Sequence, residues 1–250
     1  MTKGGYWSFN DYHRLNVKDF VEEFCGWKAL MELSSYAFIG RDQAFVNTLF
    51  LTGGRVSEAL ALKRENFEVR NHEGLVLVRN MPLLKRYKKL SESINEIGKK
   101  EWVTEKLSKT RKPFPIIIRE PLAPKLLDYL GKADGLLFPS PYKVGFPLSR
   151  FWAYKLIRKI DERAPMRLKE ELGLNKPFIV NGVEISDRIH LWLHWFRSQR
   201  ASQLVSDYGY EVIDLIDFFS WERYDTALTY ARKGWRGLAS KMQIAQVTYV

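Results

Sequence analysis

Three short stretches carry side chains whose types and spacing suit phosphate chemistry. In LFLTGGRVSEALAL, residues 49–62, Arg55 stands just past a Gly-Gly pair where a helical segment opens. A guanidinium there lies beside unpaired helix N–H groups and the positive end of the helix dipole, a setting that attracts a phosphate. In LHWFRSQRASQLV, residues 193–205, His194 and Arg197 are three apart and project from one side of a helix. An imidazole and a guanidinium so placed can hold two oxygens of one phosphate. In FFSWERYDTALTYARKG, residues 218–234, Trp221 precedes Tyr230 by nine residues. Each pattern alone is ordinary: a lone arginine commonly opens a surface helix, His-x-x-Arg recurs by chance, and the chain has 12 tyrosines.

Other chemistries lack their residues. There is no Gly-x4-Gly-Lys-Ser/Thr loop and no Gly-x-Gly-x-x-Gly, so no nucleotide cofactor is expected. No Gly-x-Ser-x-Gly marks a hydrolase elbow. The single cysteine, Cys25, excludes an internal disulfide and a cysteine-rich zinc module. His190 and His194 stand four apart, but His-Glu-x-x-His and a third ligand are missing, so no metal is expected. No apolar run approaches the ~18 residues of a membrane-spanning helix, and the N-terminus lacks the apolar core of a secretory signal. We expect no membrane partner and a reducing cytoplasm.

The elements that must position these residues are read from hydrophobic spacing and turn signals. The composition, 46% hydrophobic and 28% charged over 250 residues, is that of a folded chain of one or two domains. Val17, Phe20, Val21, Phe24 and Trp27 have helical spacing, which predicts a helix through most of the first 40 residues, broken at Gly40. A second helix from about Asp42 stops at Gly53-Gly54, and a third runs through RVSEALALKREN. Gly74–Val78 and Phe114–Ile118 read as strands. The polar stretch of about 35 residues between them is too long for a plain hairpin loop and is expected to hold a short helix or to be mobile. APKLLDYLGK is a helix ending near Gly131, and Pro139, Pro141 and Pro147 mark a loop. SRFWAYKLIRKIDERA is an amphipathic helix with Ser149 as N-cap. Asn181-Gly182 is the turn of a hairpin, and the rest is helical to about Gly234, broken near Gly209 and Ser220. The fold class is therefore mainly α with a small antiparallel β-sheet.

Charge names a partner class. Lys and Arg number 40 against 29 Asp and Glu, a net charge of +11 with pI near 9.6. The stretch from Arg79 to Lys112 holds 11 basic and 4 acidic residues, and Arg232, Lys233, Arg236 and Lys241 follow Tyr230. Tyr87, Trp102 and Trp235 are interleaved, as suits a surface that tracks phosphates and stacks on sugars or bases. Lys85, Arg86, Lys88, Lys89 and Arg111 are the candidate contacts to a nucleic-acid backbone.

Taken together and in this order, Thr52-Gly53-Gly54-Arg55-Val56-Ser57-Glu58, His194-Trp195-Phe196-Arg197 with Ala201-Ser202, and Trp221 to Tyr230 resemble the tyrosine recombinase (phage-type integrase) family. Its pattern is TGxRxSE, then HxxR followed by an Ala-Ser/Thr step, then His or Trp nine residues before the nucleophilic Tyr. The resemblance runs from about Arg41 to Lys233 and implies the catalytic-domain fold of that family. It divides the chain into a short N-terminal helical segment (1–40), a catalytic domain (41–233) with a basic insertion at about 79–108, and a C-terminal tail (234–250). Some 40 leading residues are too few for the family's usual N-terminal DNA-clamping domain, so the chain is a catalytic fragment or a minimal branch. The family's Leu-Gly before the His/Trp is Phe219-Ser220 here, and Gly54 stands where Leu or Met is common.

The resemblance implies a function and roles for residues. Tyr230 attacks the scissile phosphate of double-stranded DNA, and Arg55 and Arg197 clamp its non-bridging oxygens, for which guanidinium forks are well shaped. His194 and Trp221 contact the phosphate, Glu58 supports Arg55 from one helical turn on, and a lysine on a β-hairpin protonates the leaving 5′-oxygen. Lys109, within Ser-Lys-Thr, fits that place, with Lys112 as the alternative. No cofactor and no metal are implied, and the tail implies self-assembly on DNA. The reading is a site-specific recombinase working through a 3′-phosphotyrosyl intermediate. A type IB topoisomerase-like enzyme and an inactive DNA-binding module of the same fold stay open.

Overall fold

The structure, a computed structural model, describes residues 24–83, 90–94, 100–104, 109–174, 178–180, 183–185 and 190–231. The chain opens with α1 (Trp27–Ser35), α2 (Gly40–Thr52) and α3 (Val56–Leu60). Then come strands β1 (Phe67–Arg70) and β2 (Leu75–Val78), the pair β3 (Leu90–Ile94) and β4 (Lys100–Thr104), and β5 (Phe114–Ile117). Helices α4 (Ala123–Lys132), α5 (Arg150–Arg163) and α6 (Met166–Glu171) follow. A short hairpin, β6 (Phe178–Val180) with β7 (Val183–Ile185), leads to α7 (Leu193–Tyr208), α8 (Val212–Phe219) and α9 (Tyr224–Ala231).

Two helices form the centre. In α2 every residue from Ala44 to Thr52 is buried, so its sequence is apolar around most of its circumference rather than along one stripe. It packs against α7, which buries Trp195, Phe196, Ala201, Leu204 and Val205 together with Arg197 and Arg200. The flanking helices supply one apolar face each to a single core, as α1 does with Ala29, Leu30 and Leu33. Ser149 caps α5 as its position suggests, its Oγ accepting from the Trp152 amide at 3.1 Å.

The three-stranded antiparallel sheet has the order β1-β2-β5, with Phe67 opposite Val78 and Val78 opposite Phe114. Phe67, Val76, Val78, Phe114 and Ile116 point into the core. Pairing continues past the strand ends: Leu83 N–H donates to Lys109 O and Arg111 N–H to Met81 O, both at 2.8 Å. Residues 109–112 are thereby held on an extension of β5.

Four expectations change. The first helix does not run through from Val17 to Gly40: Gly26 has φ +89°, α1 starts only at Trp27, and Gly40 opens α2. The helix after Arg55 ends at Leu60. The strand β1 has no clear signal in the sequence, since Phe67-Glu68-Val69-Arg70 has only two apolar residues. The insertion carries the antiparallel pair β3 and β4 where a short helix or a mobile segment was expected, with Leu90 opposite Thr104. The hairpin flanking Asn181-Gly182 is present, Val180 pairing with Val183.

Candidate active site

The Arg55 turn is built by the end of α2. Thr52 Oγ1 donates to Thr48 O at 2.6 Å and accepts from the Gly54 amide at 3.1 Å. Gly53 turns the chain with φ +53°. A Cβ there would lie under 3.0 Å from Phe219 Cε1, so glycine is required for space as well as for backbone conformation. At Gly54 a Cβ would lie under 3.0 Å from Met81 Cε. Buried Met81 thus occupies the space that a Leu or Met side chain at position 54 would need. Glu58, 0% exposed, accepts from the Arg55 amide through Oε2 (2.9 Å) and from Arg55 Nη1 through Oε1 (3.0 Å). One buried carboxylate so fixes both the backbone and the guanidinium of Arg55, whose side chain stays 32% exposed. Because α3 has only five residues, its dipole adds little, and Glu58 already takes the Arg55 N–H.

Helix α7 carries His194 and Arg197 and brings Arg197 against this turn. His194 is half-buried in its first turn. Arg197 is 2% exposed, donates through Nη1 to Gly53 O at 2.5 Å, and has the same nitrogen 4.0 Å from Glu58 Oε2. Its guanidinium carbon lies 4.6 Å from the Phe219 ring centre and 5.4 Å from that of Trp221. Its Nη2 is buried and has no hydrogen-bond partner among the described residues. Burial pushes the Arg197 pKa down to about 10, Glu58 pulls it up, and neighbouring Arg55 lowers it further.

Trp221 and Tyr230 arrive from α8 and α9. Ser220 ends α8 with φ +49°, adopting the left-handed conformation that a glycine takes more easily. Phe219, Trp221 and Tyr230 form a ring stack: Phe219 to Trp221 at 4.5 Å and 16°, Trp221 to Tyr230 at 5.3 Å and 18°. The Tyr230 hydroxyl is 3.5 Å from Ser198 Oγ, next in sequence to Arg197. Glu58 therefore joins Arg55 to Arg197, and the ring stack with Ser198 joins both to Tyr230. Sequence reasoning missed Ser198 and the supporting Phe219; the signals available were the step after HxxR and the Phe-Ser that replaces Leu-Gly.

The hairpin lysines separate. Lys109, with its side chain 70% exposed, has Nζ 4.0 Å from Glu222 Oε1, beside Trp221. Lys112 Nζ pairs with Asp217 Oδ1 at 2.5 Å, and its amide donates to Ser220 Oγ at 3.0 Å. Arg111 corrects the sequence reading: it is 2% exposed, so it is no contact for a DNA backbone. Lys85, Arg86, Lys88 and Lys89 lie outside the described residues. His190 precedes α7 rather than sharing a helical face with His194, and its Nδ1 is 2.8 Å from Asp161 Oδ2. Among the described residues no three His, Cys, Asp or Glu side chains gather as a metal site, and no helix is long and apolar enough to cross a membrane.

No protein-family model and no curated protein matches the chain. Solved structures do. XerA recombinase matches with a TM-score of 0.51 at 17% identity, over 90% of this chain and 64% of that one. XerH site-specific recombinase bound to palindromic difH substrate in a post-cleavage complex matches with a TM-score of 0.52 at 16% identity, over 92% and 54%. The pre-cleavage XerH complex gives 0.50 at 17%, over 87% and 52%. The fold is that of a tyrosine recombinase catalytic domain. At such identities the likeness establishes fold alone, and the chain spans 52% to 64% of the length of these proteins. Within the tyrosine recombinase fold, the α2–α3 turn, α7 and the α8–α9 turn converge on one point. There Arg55, Glu58, Arg197, Trp221 and Tyr230 come together.

Proposed function

We propose that this protein cleaves and rejoins double-stranded DNA as a site-specific recombinase or integrase, with Tyr230 as nucleophile. The observation that carries the reading is the shared carboxylate: Glu58 holds Arg55 and lies 4.0 Å from Arg197, whose neighbour Ser198 reaches the Tyr230 hydroxyl. Tyr230 Oη attacks phosphorus and gives its proton to solvent water; the Oη–P bond forms as the P–O5′ bond breaks. Arg55 and Arg197 stabilise the charge on the non-bridging oxygens, with His194 and Trp221 as further phosphate contacts. Lys109 gives the leaving 5′-oxygen its proton, a role for which Lys112 is less available because Asp217 already holds it. Attack by another 5′-hydroxyl on the phosphotyrosyl bond reverses these steps and rejoins the strand, so neither a nucleotide nor a metal is required. Self-assembly on DNA through the residues after 233 and a cytoplasmic setting belong to the same proposal.

Trapping on nicked DNA tests it. Wild type should form a covalent adduct, found by mass spectrometry on a peptide containing Tyr230, and Tyr230→Phe should bind DNA equally and form none. Attachment at Tyr224, or an active Phe variant, refutes the assignment. Relaxation of plasmid without specific sites would favour the topoisomerase-like alternative, and binding with no adduct the inactive module.

A further inference from the structure

We infer that Arg111 is a positioning residue for this reaction, a buried tie that fixes the Arg55 turn against the Trp221 turn; the inference rests on the proposed strand cleavage. Arg111 Nη1 donates to Thr52 O at 2.8 Å, and Nη2 donates to Phe218 O. Thr52 is the last residue of α2 and Phe218 lies in the last turn of α8. Such carbonyls have no partner within their own helices and carry the negative ends of the helix dipoles. Two helix ends therefore converge on one cation that has no carboxylate within ion-pair distance among the described residues.

The ring of Phe114 completes the setting, 4.0 Å from the guanidinium carbon, and Met81 Sδ accepts from Nη1 at 3.3 Å. Burial and the nearby Arg197 hold the Arg111 pKa well below the usual arginine value. A planar fork reaches two carbonyls on separate helices at once, which a lysine ammonium does with less geometric control.

What the tie joins gives it a consequence. One residue past Thr52, Gly53 O receives Arg197, and three residues past it is Arg55. One residue past Phe218 the ring stack begins that ends on Tyr230. Residues flanking Arg111 reinforce the second arm: Lys112 touches Ser220 and Asp217, and Lys109 faces Glu222. Arg111 thus lies where the phosphate clamp, the nucleophile's arm and the lysine's strand meet.

The test uses the full chain as wild type, Arg111→Met and Arg111→Lys. Hydrogen exchange should rise in Arg111→Met over both 52–58 and 217–222, and not over α5. The single-turnover rate constant for adduct formation on saturating DNA should fall about 100-fold, as small misplacements of reacting groups do. Affinity for DNA and its salt slope should be unchanged, since a buried guanidinium releases no counterion. Arg111→Lys should recover part of the rate constant, and it carries the test if Arg111→Met fails to fold. A merely structural role would lower the thermal midpoint and the adduct yield while leaving the rate constant of the folded fraction at the wild-type value, which overturns the inference. So does exchange that rises at neither segment, or a salt slope reduced by about one. If wild type itself forms no adduct, the proposed reaction fails and Arg111's service to it fails with it. That outcome is distinct from an active wild type whose Arg111 variants keep its rate.

Discussion

Replacing Gly53 by alanine should strain the backbone and the ring stack together. At φ +53° an L-residue pays roughly 1–2 kcal/mol for the left-handed conformation. The new Cβ would lie under 3.0 Å from Phe219 Cε1 and 3.2 Å from Cζ, an overpacking contact of the kind that costs about 1–3 kcal/mol. The sum is roughly 2–5 kcal/mol, against a typical total stability of about 5–15 kcal/mol. The protein should therefore fold and melt early. Phe219 cannot retreat freely, because Trp221 stacks on it at 4.5 Å and Tyr230 stacks on Trp221. Adduct formation at Tyr230 should fall with stability.

A double-mutant cycle isolates the steric part. Leucine at 219 lacks the ring atoms Cε1 and Cζ, so Gly53→Ala in a Phe219→Leu background should retain only the backbone cost. Urea unfolding of the four proteins should give a coupling of about 1–3 kcal/mol between the two sites. Gly131→Ala is the control: it lies within α4, and a Cβ there meets nothing within 4 Å. It should stabilise by about 0.5–1 kcal/mol through helix propensity. If Gly53→Ala costs the same in both backgrounds, within about 0.5 kcal/mol, Phe219 is not what demands glycine and the argument fails.

Two further outcomes are expected. A 5′-bridging sulfur makes the leaving group a thiolate that needs no proton donor, its conjugate acid having a pKa of about 8.5; it should restore cleavage to Lys109→Ala and not to Arg55→Ala. Rescue of Lys112→Ala instead would move the general acid three residues. Burial pushes the Cys25 thiol up from 9.0 to about 12, so at pH 8 the native protein should hold about a thousandfold less thiolate than the unfolded chain. Alkylation in the native state should stay slow until the pH approaches 12, and rapid native labelling at pH 8 would contradict this burial.

Much of the site was readable because three motifs keep their order and spacing, which constrains them jointly where each alone is common. The helices that carry them were readable for a different reason: Gly53 and Gly209 end α2 and α7 in left-handed conformations that few other residues adopt easily. Ser220 shows the limit, since it takes the same conformation at the end of α8 without a glycine to announce it. Strand β1 was hidden because its stability comes from pairing with β2 rather than from its own four residues. Arg111 was misjudged for a related reason. Among the 11 basic residues from Arg79 to Lys112, composition treats all alike, and only the convergence of α2 and α8 on one strand shows that Arg111 is buried.

The charge arithmetic of the centre explains why such burial points to function. Arg55 and Arg197 share one carboxylate, Glu58, and buried Arg111 feels it only at longer range, while Arg200 is matched separately by Glu120 at 2.7 Å. A buried ion pair seldom adds stability over an apolar replacement, and an excess buried cation is costlier still. The helix-end carbonyls of Thr52 and Phe218 and the aromatic faces of Phe114 and Phe219 offset part of that cost without cancelling the charge. The excess is positive, the sign that an anionic phosphate diester would offset, and Arg197 Nη2 is a buried donor without a hydrogen-bond partner among the described residues. On the proposed mechanism the negative charge grows as phosphorus becomes five-coordinate. Fixed cations held in place beforehand by Glu58, Gly53 O and the Arg111 tie then favour the transition state over the ground state without reorganising.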